Sequence, residues 1–280
     1  MGYTVDISKW NGNINWSVAA PQLDLAICRV QYGSKKVDEW YQRYVAKLEE
    51  HGVPHAAYAY GCFVSIADAI VEAKDLLARV SSNAKFLVLD VEDDTVKSMK
   101  SKGNLNDLAK ASQAFIDTCK AAGWKVGFYV AHHMYGEYNL QSVQADFIWL
   151  PRYGTNDGNP QKKPSYPCDI WQYTDKGYIN GIGKVDINLL QGGKTLSWFT
   201  GSAQNQEQVQ ETKRNVVEVG GIGRENLADV VGALNSVHMT GNLNLKSDGY
   251  IYPVTDPTSD AQLKAFTDYL DRKGWVYTVK

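Results

Sequence analysis

Phe86-Leu-Val-Leu-Asp-Val-Glu-Asp-Asp94 is a short apolar run that ends in carboxylates at alternate positions. Alternate side chains of a strand point the same way, so Asp90 and Glu92 share one face and the opposite face is apolar. Their Cα atoms would be about 6.5–7 Å apart. Two carboxyl groups that close repel when both are ionised, and the pKa of one rises. The stretch is therefore either an acidic loop after a strand or a source of one acid and one anion on a single face.

Seven other apolar runs in the first 200 residues resemble strands, and amphipathic helical stretches separate the earlier ones. The predicted strands are Tyr3–Ile7, Leu25–Gln31, His55–Gly61, Phe86–Val91, Val126–Val130, Phe147–Leu150, Asp169–Tyr173 and Val185–Asn188. The predicted helices are Glu39–His51, Ala69–Arg79 with a cap at Ser65, and Asn106–Ala122. Strands that alternate with helices indicate an α/β fold with a parallel sheet, and about eight strands in this length favour a (β/α)-type barrel. The last three strands have too little chain between them for helices, so we expect the barrel to be irregular there.

Two further predicted strands also end in aspartate, at Asp6 in Tyr3-Thr-Val-Asp and at Asp186 in Val185-Asp-Ile-Asn. The first and last strands of a closed barrel are neighbours, so Asp6 and Asp186 should converge with Asp90 and Glu92 at the carboxyl end of the barrel, where barrel active sites lie. Four acids at one rim are costly for structure and useful for chemistry. One acid with one anion is the combination that glycoside hydrolysis requires. Asp93 and Asp94 are expected to lie beyond the strand in solvent.

Aromatic and polar side chains near other strand ends are candidates for substrate binding, although core packing or a plain surface role is the alternative for each. Trp171 offers a stacking ring, and Gln172 offers an amide suited to an acetamido group. The candidates are Tyr58, Tyr60, Tyr129, Arg152, Trp171 and Gln172.

No cofactor or metal is expected from the sequence. His132 and His133 are adjacent, so on a strand they would point opposite ways, and neither H-E-x-x-H nor C-x-x-C is present. Nucleotide-binding glycine motifs do not follow any predicted strand. A formal net charge of −2, from 29 basic and 31 acidic side chains, argues against binding to nucleic acid or to an anionic membrane. A signal peptide is not apparent and four scattered cysteines suggest thiols, so we expect the protein to be made and to fold in a cytoplasm.

A polar stretch, Ser202–Lys213, separates this pattern from a second one and contains a single large apolar residue. We therefore predict a barrel domain over residues 1–200, a linker over 201–213 and a small α+β domain over 214–280. The second pattern reads βαββαβ, which is typical of a split βαβ sandwich. Its predicted elements are Arg214–Gly220, Arg224–Ser236, Gly241–Lys246, Tyr250–Val254, Ser259–Lys273 and Trp275–Val279.

Five ordered motifs resemble the lysozymes of glycoside hydrolase family 25. They are V-D-I-S-K-W-N-G-N-I-N-W, A-Y-A-Y-G, F-L-V-L-D-V-E, W-Q-Y and V-D-I-N, and they span about residues 1–191. The resemblance implies an irregular barrel that hydrolyses the β-1,4 bond between N-acetylmuramic acid and N-acetylglucosamine. It also implies that Glu92 is the general acid, that Asp90 is its partner, and that Asp6 and Asp186 line the site. Attack by a carboxylate and attack by the substrate's own N-acetyl group, oriented by Asp90, both stay open.

The carboxyl-terminal pattern resembles the wall-binding modules of bacteriophage endolysins, through Gly220-Gly-Ile222 and Gly274-Trp-Val-Tyr277. Tyr250, Tyr252 and Trp275 are candidates for contact with a wall polymer, and core packing is the alternative. Self-association through this region, giving a homo-oligomer, is a second possibility. The sequence thus favours a phage endolysin that accumulates in the host cytoplasm and acts on the wall after release. A chitinase-like N-acetylhexosaminidase and a non-catalytic glycan-binding protein are the alternatives.

Overall fold

The computed structural model describes residues 2–201, 215–237, 239–258 and 260–280. The chain divides into two compact units, Met1–Ser202 and Ala203–Lys280. Of the predicted linker, all but residue 201 lies outside the described residues.

Nine strands form the sheet of the first unit, and eight of them close a barrel. The strands are β1 (Tyr3–Ile7), β2 (Leu23–Tyr32), β3 (Lys36–Val37), β4 (His55–Tyr60), β5 (Leu87–Val91), β6 (Val126–Val130), β7 (Phe147–Pro151), β8 (Ile170–Ile179) and β9 (Gly183–Leu190). The barrel order is β1-β2-β4-β5-β6-β7-β8-β9, and β1 closes it by pairing with β9. The short β3 pairs with the carboxyl-terminal end of β2, at Gln31 and Tyr32. The predicted fold class, an irregular barrel of about eight strands, is confirmed.

The irregularity of the barrel lies in β9, which runs antiparallel to both of its neighbours. Only three residues, 180–182, connect β8 to β9, and a connection that short can only join antiparallel strands. Gly181 in this turn has φ +90°, and a Cβ there would lie 2.7 Å from the Asn15 carbonyl oxygen. A residue with a side chain is therefore excluded both by conformation and by space.

Helices cover the outside of the barrel. They are α1 (Trp16–Ala19), α2 (Tyr41–Glu50), α3 (Ile66–Arg79), α4 (Asp93–Ser101), α5 (Leu108–Ala121) and α6 (Leu196–Thr200). As predicted, Ser65 caps α3, because its hydroxyl accepts a hydrogen bond from the Asp68 backbone N–H at 3.1 Å. Helix α4 was not predicted. It begins directly after Glu92, and two carboxylates in its first turn, Asp93 and Asp94, favour the positive end of the helix dipole.

Two apolar layers follow from the alternation along the strands. On β5, Leu87, Leu89 and Val91 pack outward against the helices, whereas Val88 joins the layer inside the barrel. The inner layer continues to the amino-terminal end of the barrel, which Phe199 of α6 covers. Opposite this packed end, the lumen opens at the carboxyl ends of the parallel strands.

The second unit is a four-stranded antiparallel sheet with two helices. Its elements are β10 (Val217–Val219), α7 (Leu227–Ser236), β11 (Gly241–Leu245), β12 (Ile251–Thr255), α8 (Asp260–Lys273) and β13 (Tyr277–Val279). The sheet order is β11-β12-β10-β13, the arrangement of a split βαβ sandwich, so this part of the predicted fold is also confirmed. Val217, Val230, Phe266 and Leu270 form the fully buried centre of its core. Residue 214 of the first predicted strand and Ser259 of the second predicted helix lie outside the described residues.

All four cysteines are free thiols, and Cys28 and Cys119 are buried. Within the described parts of the chain, no helix has the length and apolar character needed to cross a membrane.

Candidate active site

A cavity of about 350 Å³ opens at the carboxyl end of the barrel. Six carboxyl groups and one guanidinium group lie in its wall, together with several aromatic rings. The lining residues are Asp6, Ser8, Trp10, Arg29, Tyr32, Tyr58, Tyr60, Asp90, Glu92, Asp94, Tyr129, Trp149, Tyr153, Gln172, Asp175 and Asp186. The structure thus brings the acids of three separate sequence segments into one cavity.

Asp90 and Glu92 form a carboxyl pair at the end of β5. Asp90 is only 5% exposed, and its carboxyl group lies close enough to that of Glu92 for each group to shift the pKa of the other. Burial raises the pKa of Glu92 to about 7. Burial, followed by the charge of Glu92, raises the pKa of Asp90 well above its ordinary value. The pair therefore holds a proton at neutral pH.

One oxygen of the pair has no partner among the described residues. The Oδ1 atom of Asp90 is buried and accepts no hydrogen bond from them. A buried acceptor without a donor is costly, so this oxygen is suited to accept an N–H or O–H group from a bound substrate.

Asp6 and Asp186 form a second carboxyl pair, since they lie opposite each other in the register between β1 and β9. Burial raises the pKa of both groups, and burial together with the charge of Asp6 raises the pKa of Asp186 to about 9. Hydrogen bonds from Asn188 and Gln172 lower the pKa of Asp6, because they stabilise its ionised form. We therefore place the charge on Asp6 and the proton on Asp186 at neutral pH.

Two buried amides hold Asp6, and aromatic donors orient both amides. Asn188 Nδ2 donates to Asp6 Oδ1 at 2.8 Å, and Gln172 Nε2 lies 3.0 Å from each Asp6 oxygen. The Trp149 indole donates to Asn188 Oδ1 at 2.8 Å. Because an indole N–H can only donate, it fixes the direction of the Asn188 amide.

The Gln172 amide is fixed in the same way. Its Oε1 accepts hydrogen bonds from the hydroxyls of Tyr129, at 3.0 Å, and Tyr153, at 2.5 Å. Its nitrogen therefore faces Asp6, which can only accept while ionised. In this network, Tyr129 positions an amide that in turn positions a carboxylate.

The remaining predicted tyrosines, Tyr58 and Tyr60, also line the cavity. Tyr60 stacks on Tyr32 with ring centroids 4.6 Å apart, and its hydroxyl accepts a weak hydrogen bond from the Asp94 backbone at 3.4 Å. Burial raises the pKa of both tyrosines, so their hydroxyls stay protonated and can donate to substrate.

Two predicted binding residues are not brought to the cavity. Trp171 is 2% exposed and lies on the outer face of β8, where its ring packs edge-on against Tyr173 and its N–H donates to the Arg152 carbonyl at 2.7 Å. The Arg152 guanidinium points to a loop, where it bonds the Lys163 carbonyl at 2.9 Å and the Ser165 hydroxyl. Because Gln172 faces the lumen, its neighbour Trp171 must face the outside of the barrel. This arrangement speaks against the sugar-stacking role predicted for Trp171 and the substrate contact predicted for Arg152.

Sequence reasoning also missed several residues of the cavity. Asp94 was expected in solvent, but it lines the cavity and accepts a 2.5 Å hydrogen bond from the Tyr32 hydroxyl. The others are Ser8, Trp10, Arg29, Tyr32, Trp149, Tyr153 and Asp175. Most of them lie at or just after the carboxyl end of a barrel strand, and that position was the available signal.

The adjacent histidines, His132 and His133, have different protein partners. The described residues contain no group of three His, Cys, Asp or Glu side chains that could hold a metal ion. His132 Nε2 instead accepts a hydrogen bond from the Ser165 backbone at 3.0 Å, and His133 lies 3.4 Å from Asp93.

A barrel with paired carboxyl groups at its open end has the groups that glycoside hydrolysis requires. The model of the family "Glycosyl hydrolases family 25" matches residues 5–182, more than half of the 280 residues, and the chain belongs to this family. A second model, the PlyG cell wall binding domain, matches residues 236–279.

Relatives agree with this assignment. The catalytic domain of endolysin ply40, from bacteriophage P40 of Listeria monocytogenes, is 33% identical with a TM-score of 0.64, and the match covers 72% of this chain and 98% of that one. GHIP, a glycosyl hydrolase 25 of Streptococcus pneumoniae, is 25% identical with a TM-score of 0.62, and the match covers 71% of this chain and 92% of that one. The lysozyme of Streptococcus phage Cp-9 is 28% identical over 149 residues, which cover 49% of this chain and 41% of that protein. The protein is a lysozyme, a peptidoglycan muramidase, with a cell wall binding domain at its carboxyl end.

Proposed function

We propose that Glu92 is the general acid of this muramidase and that Asp90 is its partner, in cleavage of the β-1,4 bond between N-acetylmuramic acid and N-acetylglucosamine. The observation that carries the assignment is a pair of carboxyl groups that lie at the carboxyl end of β5, in one cavity, and whose pKa values burial raises. A pKa of about 7 leaves Glu92 able to give a proton to the leaving oxygen near neutral pH.

The unpartnered oxygen of Asp90 supports attack by the substrate's own acetamido group. Its buried Oδ1 is suited to accept the acetamido N–H and so to orient that group toward C1.

In the resulting mechanism, Glu92 protonates the glycosidic oxygen and the bond from that oxygen to C1 of the muramic acid breaks. The acetamido carbonyl oxygen bonds to C1, and Asp90 stabilises the positive charge that develops on the acetamido group. Glu92, now ionised, removes a proton from water as that water attacks C1. The bond from C1 to the acetamido oxygen breaks in the same step, which returns the acetamido group to its neutral form. The product is a reducing N-acetylmuramic acid end, and Glu92 regains its proton.

Asp6 contributes a fixed negative charge to the same cavity. Because Asn188 and Gln172 hold its oxygens, the charge requires no reorganisation during the reaction, which is the condition for effective electrostatic stabilisation. We propose that Asp6 favours the positive character of the anomeric centre and that Asp186, protonated, donates to a sugar hydroxyl.

The test is to digest purified peptidoglycan, reduce the fragments with borohydride and identify the reduced sugar by mass spectrometry. We expect reduced muramic acid ends. Reduced glucosamine ends would indicate the chitinase-like cleavage instead. If no new reducing ends form on walls from several hosts, the remaining candidate is a non-catalytic glycan-binding protein.

We further propose that the β11–β12 hairpin of the second unit contacts a wall polymer. Tyr250 is 50% exposed there, and the nearby Tyr252 is held by a 2.7 Å bond from its hydroxyl to Asp248 and by Lys246 Nζ, 3.7 Å from its ring centre. Trp275 differs from these two, since it packs edge-on against Tyr269 at 5.9 Å beside the core. The structure therefore favours a packing role for Trp275 and a binding role for the two tyrosines.

This second proposal is tested by co-sedimentation with cell walls, using the full chain with Glu92→Gln so that the walls are not digested. Adding Tyr250→Ala should lower the bound fraction several-fold. Tyr178→Ala, which removes a ring 73% exposed on the barrel, is the matched control and should change nothing. Equal binding by both variants would show that Tyr250 does not contribute to wall binding.

The similarity to a Listeria phage endolysin and to a Streptococcus phage lysozyme supports a role in the release of phage from its host. We propose that the protein accumulates in the host cytoplasm and reaches the wall when the membrane is opened. Self-association through the second unit stays a prediction, and sedimentation velocity would test it.

A further inference from the structure

A second cavity, of about 310 Å³, opens beside the catalytic one. The two cavities share four lining residues, Trp10, Arg29, Tyr32 and Asp94. A ligand bound in the catalytic cavity can therefore extend across this shared wall into its neighbour.

The charges of the two cavities differ. Six carboxyl groups line the catalytic cavity, and Arg29 is its one cationic side chain. The second cavity adds two lysines, Lys9 and Lys36, and a single carboxylate, Asp38. The charge of Asp38 is already compensated, because it accepts from Arg29 Nε at 2.9 Å and from two backbone N–H groups.

The other carboxylate of this cavity is compensated as well. Asp94 accepts a hydrogen bond from Tyr32 and pairs with Lys97, which lies outside the cavity, at 2.8 Å. The ammonium groups of Lys9 and Lys36, in contrast, have no carboxylate within 4.0 Å among the described residues. They are cations available to a ligand.

Aromatic rings support both ammonium groups. Lys9 Nζ lies 4.9 Å from the centre of the Trp10 ring, and Lys36 Nζ lies 5.2 Å from that of Tyr32. Such contacts hold a cation over an aromatic face without neutralising it. Trp10 is 80% exposed, so it also offers a large apolar surface at the boundary of the two cavities.

We propose that this second cavity is a subsite for the peptide of the substrate, in which Lys9 and Lys36 bind a carboxylate of the peptide carried by muramic acid. The proposal rests on the proposed muramidase function. The glycan itself is neutral in its hydroxyl and acetamido groups, whereas the peptide attached to the lactyl group bears free carboxylates. The ionised carboxyl groups of the catalytic cavity, Asp6 among them, would repel those carboxylates, and Lys9 and Lys36 lie across its wall.

The test compares two substrates that differ only in the charge of the peptide. One is peptidoglycan freed of anionic wall polymers, and the other is the same material after its free peptide carboxylates have been converted to neutral amides. The readout is the ratio of kcat/KM on the first to kcat/KM on the second. Lys9→Gln with Lys36→Gln removes both cations, and Lys74→Gln with Lys85→Gln is the control of equal charge change on exposed lysines that line neither cavity.

Because an exposed ion pair contributes up to about fivefold in affinity, we expect the Lys9/Lys36 variant to lower the ratio about 5- to 30-fold. The wild-type ratio should also fall in 1 M salt, where charges are screened over about 3 Å. The control variant should keep the wild-type ratio.

Three outcomes would overturn the proposal. One is an unchanged ratio for the Lys9/Lys36 variant while the wild type cleaves both substrates. Another is an effect of the variant that occurs only on walls that still carry phosphate-rich polymers, which would assign the lysines to those polymers. In the third outcome, the wild type produces no new reducing ends from either substrate. That result would overturn the proposed function itself, and this inference with it.

Discussion

The two ends of the barrel lumen are made from the same strands and hold opposite kinds of side chain. At the amino-terminal end, three fully buried phenylalanines pack edge to face with ring centres 5.0–5.6 Å apart. These residues are Phe86, Phe147 and Phe199. At the carboxyl end, four carboxyl groups are withdrawn from water, and burial raises the pKa of each.

The difference separates stability from chemistry. Aromatic packing at one end supplies favourable burial, while the other end has carboxyl groups whose ionised forms burial disfavours. A substitution at the phenylalanine end should therefore weaken folding and spare the reaction. A substitution at the acid end should weaken the reaction and spare folding or improve it.

The largest effect is expected from Glu92→Gln, which keeps the shape of the side chain and removes the transferable proton. General acid–base catalysis contributes about 10²–10⁴-fold, so kcat/KM should fall by about that factor. The free energy of unfolding, in contrast, should increase. The wild type loses stability as the pH rises from the unfolded pKa of about 4.5 through the folded pKa of about 7, and glutamine does not titrate. We expect the variant to gain about 1–3 kcal/mol in the free energy of unfolding at pH 8.

The control for this substitution is Asp93→Asn at the exposed next position, which lies outside the cavity. It should stay within about twofold of wild type in kcat/KM, since it touches no reacting atom. Activity of Glu92→Gln within about tenfold of wild type would remove Glu92 from the role of acid. Urea denaturation at pH 8 measures the stability difference.

Phe199→Ala should have the next largest effect, at the opposite end. The side chain is fully buried against Phe86 and Phe147, and such truncations cost about 3–5 kcal/mol. At a temperature where the variant is still folded, kcat/KM should remain within about twofold of wild type. A large loss of kcat/KM with an unchanged thermal unfolding temperature would contradict the assignment of stability to this end and of chemistry to the other.

Asn188→Leu should have the smallest effect of the three, and it should lower both activity and stability. It removes one donor from Asp6 and leaves the Trp149 N–H without its acceptor. We expect kcat to fall about tenfold with KM little changed, because the loss falls on a positioned charge, and stability to fall by about 1–3 kcal/mol. An increase in KM alone would indicate that Asn188 contacts substrate and does not position Asp6.

Much of the barrel could be predicted because its strands are short apolar runs with a strict alternation. The alternation also placed Asp90 and Glu92 on the face that looks into the lumen. The same alternation excludes Trp171 from the lumen, because its neighbour Gln172 faces it. The predicted strand ends at Tyr173, but β8 continues for six more residues. The prediction stopped early because Asp175, Lys176 and Gly177 interrupt the apolar pattern.

The rest of the site depends on loops, which carry no periodicity. Trp10 and Tyr153 follow strands by a few residues, and their path back over the cavity is set by tertiary contacts. Asp94 looked like one more residue of a solvated acidic run. Its position follows from α4, which starts directly after Glu92 and turns the chain beside Tyr32.

The pH dependence of kcat/KM on purified peptidoglycan tests most directly the claim that a buried, protonated Glu92 drives the reaction. A general acid acts only while it is protonated, so activity is kept below its pKa and lost above it. With the pKa of Glu92 at about 7, kcat/KM should fall about tenfold per unit as the pH rises above about 7, and Glu92→Gln should lack this decline. A wild-type profile that stays flat up to about pH 10 would contradict a carboxylic acid as the proton donor.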